Sequence, residues 1–184
     1  IARMDENQSH RAVTSPRLAD KAIRWLRANA WRDGKPFFLF LHLWDVHYDY
    51  IPPPPYDRMF DPDYRGTVDG RFKPWYGDFG PPRGLAMPSR DRQHIRALYD
   101  GEIAFTDEHL GRVLAELDQQ GATPRTIICV TADHGDEFYE HGLAGHQRTL
   151  YDEVLRVPWI VAGPGVGGPR RVATPVSNVD ILPT

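Results

Sequence analysis

A single cysteine, Cys129, stands among 184 residues, so the chain forms no internal disulfide. Long apolar runs are missing too: no stretch approaches the ~20 residues a bilayer-spanning helix needs. The first seven residues, IARMDEN, lack the charged, apolar and small regions of a secretory leader. Neither charge sign dominates. Lys and Arg number 22 against 25 Asp and Glu, a formal net charge of −3, which argues against a nucleic-acid partner and against a membrane face. There is no repeat, and no low-complexity segment beyond the proline run 52–55. The chain does not start with Met and stops at 181–184 (ILPT), immediately after an apolar strand-like run. Both ends read as cut, so an internal piece of a longer polypeptide is expected.

What is present suits one domain large enough to bury a core. Ser15 and Pro16 read as a helix N-cap followed by proline at the first helical position. Leu18, Ala22, Trp25, Leu26 and Ala30 then recur at helical spacing, predicting about four turns with one apolar stripe. Residues 33–36 (DGKP) break that helix, and 37–43 (FFLFLHL) form an apolar run of strand length. Apolar on both faces, such a run suits a strand buried in a parallel sheet. Residues 44–90 show no sustained period, and the stretch 57–90 reads as a loop excursion over a site. From Asp91 to about Gln119 the apolar spacing predicts a long helix, weakened near Gly101 and Gly111 and ended by Gly121. Residues 126–131 and 157–162 are two further buried strands. This order predicts an α/β fold with a largely parallel sheet, whose ligands sit beyond the carboxyl ends of the strands. Two polar clusters fall there, at 44–47 (WDVH) and 132–135 (ADHG).

Asp133 and His134 leave the second strand together and run into Gly135. A carboxylate and an imidazole both bind divalent ions. The same pair has a plainer use, with Asp133 capping the next segment and His134 packing against the sheet edge.

Residues 131–138 (TADHGDEF), 140–142 (EHG), Gly145 with His146, and 150–158 (LYDEVLRVP) occur in that order. Together they resemble the second metal-binding segment of the sulfatase family, within the alkaline phosphatase superfamily. Residues 37–55 resemble that family's strand carrying a substrate-binding histidine, 99–107 (YDGEIAFTD) its long helix, and 176–184 its segment after the active site. The likeness spans nearly the whole chain apart from 57–90, so the chain is read as one partial catalytic domain. The implied fold is a three-layer αβα arrangement with a mostly parallel sheet. The implied chemistry is hydrolysis of a sulfate monoester on a sulfated small molecule or glycan. It uses a divalent metal, calcium first with manganese or zinc as alternatives, and a formylglycine hydrate made from a cysteine. By the same likeness Asp133 and His134 are metal ligands, His47 contacts the sulfate group or the leaving oxygen, and His146 contacts the sulfate, with Gln147 the neighbouring alternative to His146. Calcium prefers oxygen ligands, and the imidazole of His134 suits manganese or zinc at least as well. The Asp-His-Gly pattern also resembles phosphonate monoester hydrolases and phosphodiesterases of the superfamily. A non-catalytic module binding sulfated glycan is the reading from another class.

The family's Cys-x-Pro-Ser-Arg segment is not in the sequence and would precede residue 1; the polypeptide is therefore expected to be inactive alone. Residues 86–90 (AMPSR) imitate the motif with alanine for cysteine but follow His47, the wrong order. Cys129, mid-strand between Ile128 and Val130, is expected to be buried and inert. His10, His94 and His109 read as surface residues and His42 as a packed or hydrogen-bonded one. His141 with Glu140 is either a brace for the site loop or part of the plain surface. Glu153 and Arg156 are expected to pair, and Asp45 to orient the turn before His47. Tyr48, Tyr50, Tyr56, Trp75 and Tyr76 offer a platform for a sugar or aryl group, or they hold the loop down.

Overall fold

Ala19, Ala22 and Leu26 fall on one side of α1 (Ser15–Ala28), three to four residues apart, and all three are buried. The computed structural model describes residues 13–28, 35–47, 49–71, 87–146 and 148–182. The α1 stripe packs on Val113 and Leu117 of α2 (Ser89–Gln119) and on Ala122. Phe37, Leu39 and Leu41 cover the same cluster from the extended run 35–45. Each fully buried Leu here is worth roughly 1.5–3 kcal/mol. The helix opens one residue earlier than its sequence suggests: the Leu18 N–H bonds the Thr14 carbonyl at 3.0 Å, which puts Thr14 at the N-cap.

Helix α2 runs unbroken through both glycines. Gly101 is there for a close approach: an added Cβ would lie 2.5 Å from the Tyr56 carbonyl oxygen. The helix ends as Gly121 predicts, with φ +64°, its N–H on Asp118 O at 2.8 Å and the Ala122 N–H on Leu117 O at 2.9 Å. That double closure satisfies the last carbonyls. A second cluster of Tyr50, Val68, Ile95 and Leu98 fastens the segment 49–71 to the first half of α2. At its rim Asp61 accepts both Arg90 guanidinium nitrogens at 2.6 and 2.7 Å and faces His94 Nδ1 at 2.9 Å. Within 57–90, residues 72–86, including Ala86 of the motif imitation, lie outside the described residues, as do Ala30 and residues 33 and 34 of the 33–36 break.

β1 (Ile128–Thr131) pairs with β4 (Trp159–Ala162), Ile128 opposite Ala162 and Thr131 opposite Trp159. The pairing is antiparallel, whereas the apolar runs predict parallel strands. Between them lie the short hairpin β2 (Glu137–Phe138) with β3 (Ala144–Gly145) and the single turn α3 (Asp152–Leu155), whose reversals return β4 against β1. The run 37–43 is extended but carries no ladder among the described residues. Its burial alternates, Phe37, Leu39 and Leu41 inward and Phe38 87% exposed. β1 alternates likewise, so Cys129 is exposed rather than buried. An apolar run thus does not imply cover on both faces here. His94 and His109 are buried rather than at the surface, stacked on Tyr64 and set against Phe105, while His42 is exposed with its ring edge-on to Trp44.

Candidate active site

Three segments deliver three imidazoles to one place. His47 follows the extended run 35–45, His134 follows β1, and His146 follows β3. One ring nitrogen from each lies within 4.8 Å of the others. Ring centroids are 5.1 Å apart for His47 and His146, 3.8 Å for His134 and His146, and 6.3 Å for His47 and His134. A cleft of about 390 Å³ opens beside His134 and His146, its other walls Arg148, Thr149, Leu150 and Val154.

Each histidine is held by its neighbours. Trp44 stacks on the His47 ring, centroids 5.0 Å apart and planes 24° from parallel. The His47 N–H and the Ile51 N–H both bond the Glu102 carboxyl, at 3.2 and 2.9 Å, so α2 grips the turn that presents His47. Burial pushes the Glu102 carboxyl up to about 9, the two N–H donors pulling the other way. His134 Nδ1 lies 2.9 Å from the Gly135 carbonyl, which takes its N–H and leaves Nε2 outward. His146 Nδ1 lies 2.8 Å from Asp136 Oδ1. Asp136 Oδ2 in turn accepts the hydroxyl of Tyr50 at 2.8 Å. Burial, then the Asp136 charge, pushes the Tyr50 hydroxyl well above its ordinary value, so it remains a donor.

The surrounding loop is fastened to α3. Gly135 N–H bonds the Val154 carbonyl at 2.8 Å, and an added Cβ at Gly135 would lie 2.2 Å from the Glu153 carbonyl oxygen. The buried Glu137 carboxylate gathers His141 N–H, Leu143 N–H and the Thr149 hydroxyl at 3.0, 3.3 and 2.9 Å. His141 stacks on Tyr151 and reaches Glu153 at 3.3 Å, a brace to α3 rather than to Glu140, which pairs with Arg96. Glu153 therefore does not pair with Arg156, whose partner is Asp152 at 3.8 Å. The Asp45 carboxylate serves α1: the amides of Thr14 and Ser15 both end on it.

Asp133 lies outside the three-histidine group, next to the His134 ring. Its side chain is 80% exposed, with Oδ1 3.1 Å from the His134 backbone N–H and 3.8 Å from His134 Nε2. Tyr50 and Tyr56 hold the loop down, Tyr50 against Asp136 and Tyr56 against Glu108. Gln147, Tyr48, Trp75, Tyr76 and His10 lie outside the described residues. Sequence reasoning does not single out Glu102, Asp136 or Glu137. Four carboxylates within 133–140 were the available signal, since so many acids in eight residues need partners nearby.

A family model described as Sulfatase matches residues 3–184. The bovine arylsulfatase K is 28% identical over 90% of the chain and 34% of its own length. A multifunctional alkaline phosphatase superfamily protein of Trinickia caryophylli is 28% identical, over 91% and 36%. Among solved structures, the phosphonate monoester hydrolase of Agrobacterium radiobacter superposes with a TM-score of 0.66 at 27% identity, covering 83% of this chain and 33% of its own. The chain thus shares that enzyme's fold and spans about a third of the length of the relatives it matches.

Proposed function

This chain belongs to the sulfatase family, and on that premise we propose that it is part of the catalytic domain of a sulfuric ester hydrolase, with His47 and His146 meeting the ester oxyanion and His134 beside them as a metal ligand. The convergence of three ring nitrogens within 4.8 Å is the observation that carries this reading. A sulfate monoester gathers charge on its sulfuryl and leaving oxygens in the transition state. Imidazoles held before reaction begins stabilise that charge without reorganising, and one of them can pass a proton to the leaving oxygen. His47 and His146 take these roles.

Asp133 and His134 hold the divalent ion. Their donor set fits one: Asp133 Oδ1 and His134 Nε2 are already 3.8 Å apart on adjacent residues, and His134 Nδ1 is occupied by a backbone carbonyl, as metal-ligating histidines require. When bound, such an ion supplies positive charge against a sulfuryl oxygen. Calcium is the ion the resemblance implies, and one imidazole with one carboxylate suits manganese or zinc equally. We read the β1–β4 ladder as an antiparallel margin of a mostly parallel, three-layer sheet. Residues 57–90 are read as an excursion shaping the choice of sulfated small molecule or glycan.

The 184 residues contain no Cys-x-Pro-Ser-Arg sequence, so this polypeptide alone lacks the nucleophile of its family. Aryl sulfate incubated with the chain and calcium or manganese is expected to stay intact, and metal-dependent turnover would overturn that. Binding tests the pocket itself. Calorimetry should find saturable binding of inorganic sulfate that weakens about tenfold or more when His47 or His146 becomes alanine; equal affinity in both variants would refute the assignment. A second reading, hydrolysis of phosphonate or phosphate esters, is favoured by the likeness to the phosphonate monoester hydrolase. Competition between sulfate and phenylphosphonate for the chain distinguishes the two.

A further inference from the structure

Asn178 reaches back along the chain to the turn that carries Asp133 and His134. Its Nδ2 donates to the Ala132 carbonyl at 2.9 Å, and its Oδ1 accepts the Thr131 hydroxyl at 3.2 Å. A carbonyl only accepts, so the amide NH₂ faces Ala132 and the hydroxyl supplies the hydrogen on the other side. Asn178 is held in turn. It opens the short 3₁₀ turn Asn178–Asp180, where the Ser177 N–H bonds Asp180 Oδ2 at 3.1 Å and the Asp180 N–H bonds the Ser177 carbonyl at 2.9 Å. The carboxamide therefore projects from a locked turn onto the end of β1.

The far end of the same dipeptide is fixed too. The Gly135 N–H bonds the Val154 carbonyl at 2.8 Å, against backbone that leaves no room for a Cβ. Asp133 and His134 thus hang between two anchors, Ala132 on the Asn178 side and Gly135 on the α3 side. Within that span Asp133 Oδ1 accepts the His134 N–H at 3.1 Å, and His134 Nδ1 lies 2.9 Å from the Gly135 carbonyl. A turn pinned at one end can swing about it; pinned at both, it keeps its two side chains on a single course. Thr131 and Asn178 are exposed, so water competes for these bonds and they add little to stability. What they set is direction. We propose that Asn178 is a positioning residue for the cation ligands, holding the Ala132 carbonyl so that Asp133 and His134 present their donor atoms to one ion. The inference rests on the reading of that pair as ion ligands. Ala132 and Thr131 stand 46 and 47 residues before Asn178, so no local pattern in the sequence marks the tie.

Manganese binding to the 184-residue chain, read from the EPR signal of the free ion, tests this beside urea unfolding. Asn178→Leu keeps the side-chain shape and removes both bonds. It should weaken manganese about fivefold, the scale of one net hydrogen bond, with little change in the unfolding midpoint. Thr131→Val removes the hydroxyl bond alone and should weaken the ion by a smaller factor. Asp133→Asn, which alters a ligand, should weaken it most. Amide exchange gives a reading without any ion: the Gly135 N–H should exchange faster in Asn178→Leu, because the turn then hangs from one anchor. Unchanged manganese affinity in Asn178→Leu, with Asp133→Asn impaired, would overturn the positioning role and leave the ligand reading standing. Manganese bound equally by Asp133→Asn and the unsubstituted chain, or by neither, would overturn the ligand reading and the proposal with it. Should Asn178→Leu fail to fold, Thr131→Val decides in its place by the same comparison.

Discussion

Asp45 closes the N-terminus of a helix 30 residues before it: its carboxylate accepts the Thr14 N–H at 2.6 Å and the Ser15 N–H beside it. The same residue lies two positions before His47, so one carboxylate ties the entry to α1 to the turn carrying the first site histidine. Replacing it should cost both. Asp45→Ala is expected to lower the unfolding free energy by about 1–2 kcal/mol, the scale of a lost helix cap. It should also weaken sulfate binding through His47. Urea unfolding and calorimetry measure the two effects separately.

The two glycines of α2 should respond with opposite signs. At Gly111 nothing lies within 4 Å of an added Cβ, so Gly111→Ala should stabilise the protein by about 0.5–1 kcal/mol through helix propensity. At Gly101 the added Cβ would meet the Tyr56 carbonyl at 2.5 Å, and Gly101→Ala should destabilise by roughly 1–3 kcal/mol despite the same propensity gain. Thermal unfolding of the pair checks the sign of each.

Two carboxyls set opposing pH dependences. The Arg90 hydrogen bonds lower the Asp61 pKa, outweighing burial, with His94 adding to them. A lowered folded pKa contributes stability present above the unfolded carboxylate value and lost as pH falls through the folded one. Asp61→Asn should therefore flatten the acid limb of stability against pH, measured by urea titrations below about pH 4.

Glu102 runs the other way. Its folded pKa is raised to about 9 by burial, so its contribution is complete below the unfolded value of 4.5 and is lost as pH climbs toward 9. Glu102→Gln should make the slope of stability between pH 5 and 9 shallower, by up to about 1.4 kcal/mol per pH unit. The comparison of slopes is unaffected by any constant cost of the amide facing the His47 or Ile51 N–H.

Much of this architecture is legible in the residues. The α1 and α2 spacings, the Gly121 stop, and the apolar runs of β1 and β4 are local signals, and local hydrogen bonding honours them. The order of the motifs around His47, His134 and His146 also brings out the residues that converge. What escapes is long-range. Strand direction depends on how many reversals the chain makes between β1 and β4, which an apolar run does not encode. The Tyr50–Asp136 bond, the Asp45 cap and the two N–H bonds on Glu102 join residues at least 30 apart, and nothing near any of them in sequence marks the partner. Cys129 and Phe38 look interior by composition yet are exposed, because alternation along an extended chain puts every second side chain on the other face.

The claim on which all of this depends is that the three histidines and Asp133 address one bound anion and one cation. A crystal structure of the chain soaked with sulfate and manganese tests it most directly. The account predicts a sulfate between His47 and His146 and the metal's anomalous signal against Asp133 and His134. Sulfate bound elsewhere, or the three rings turned apart around an ordered pocket, would contradict it.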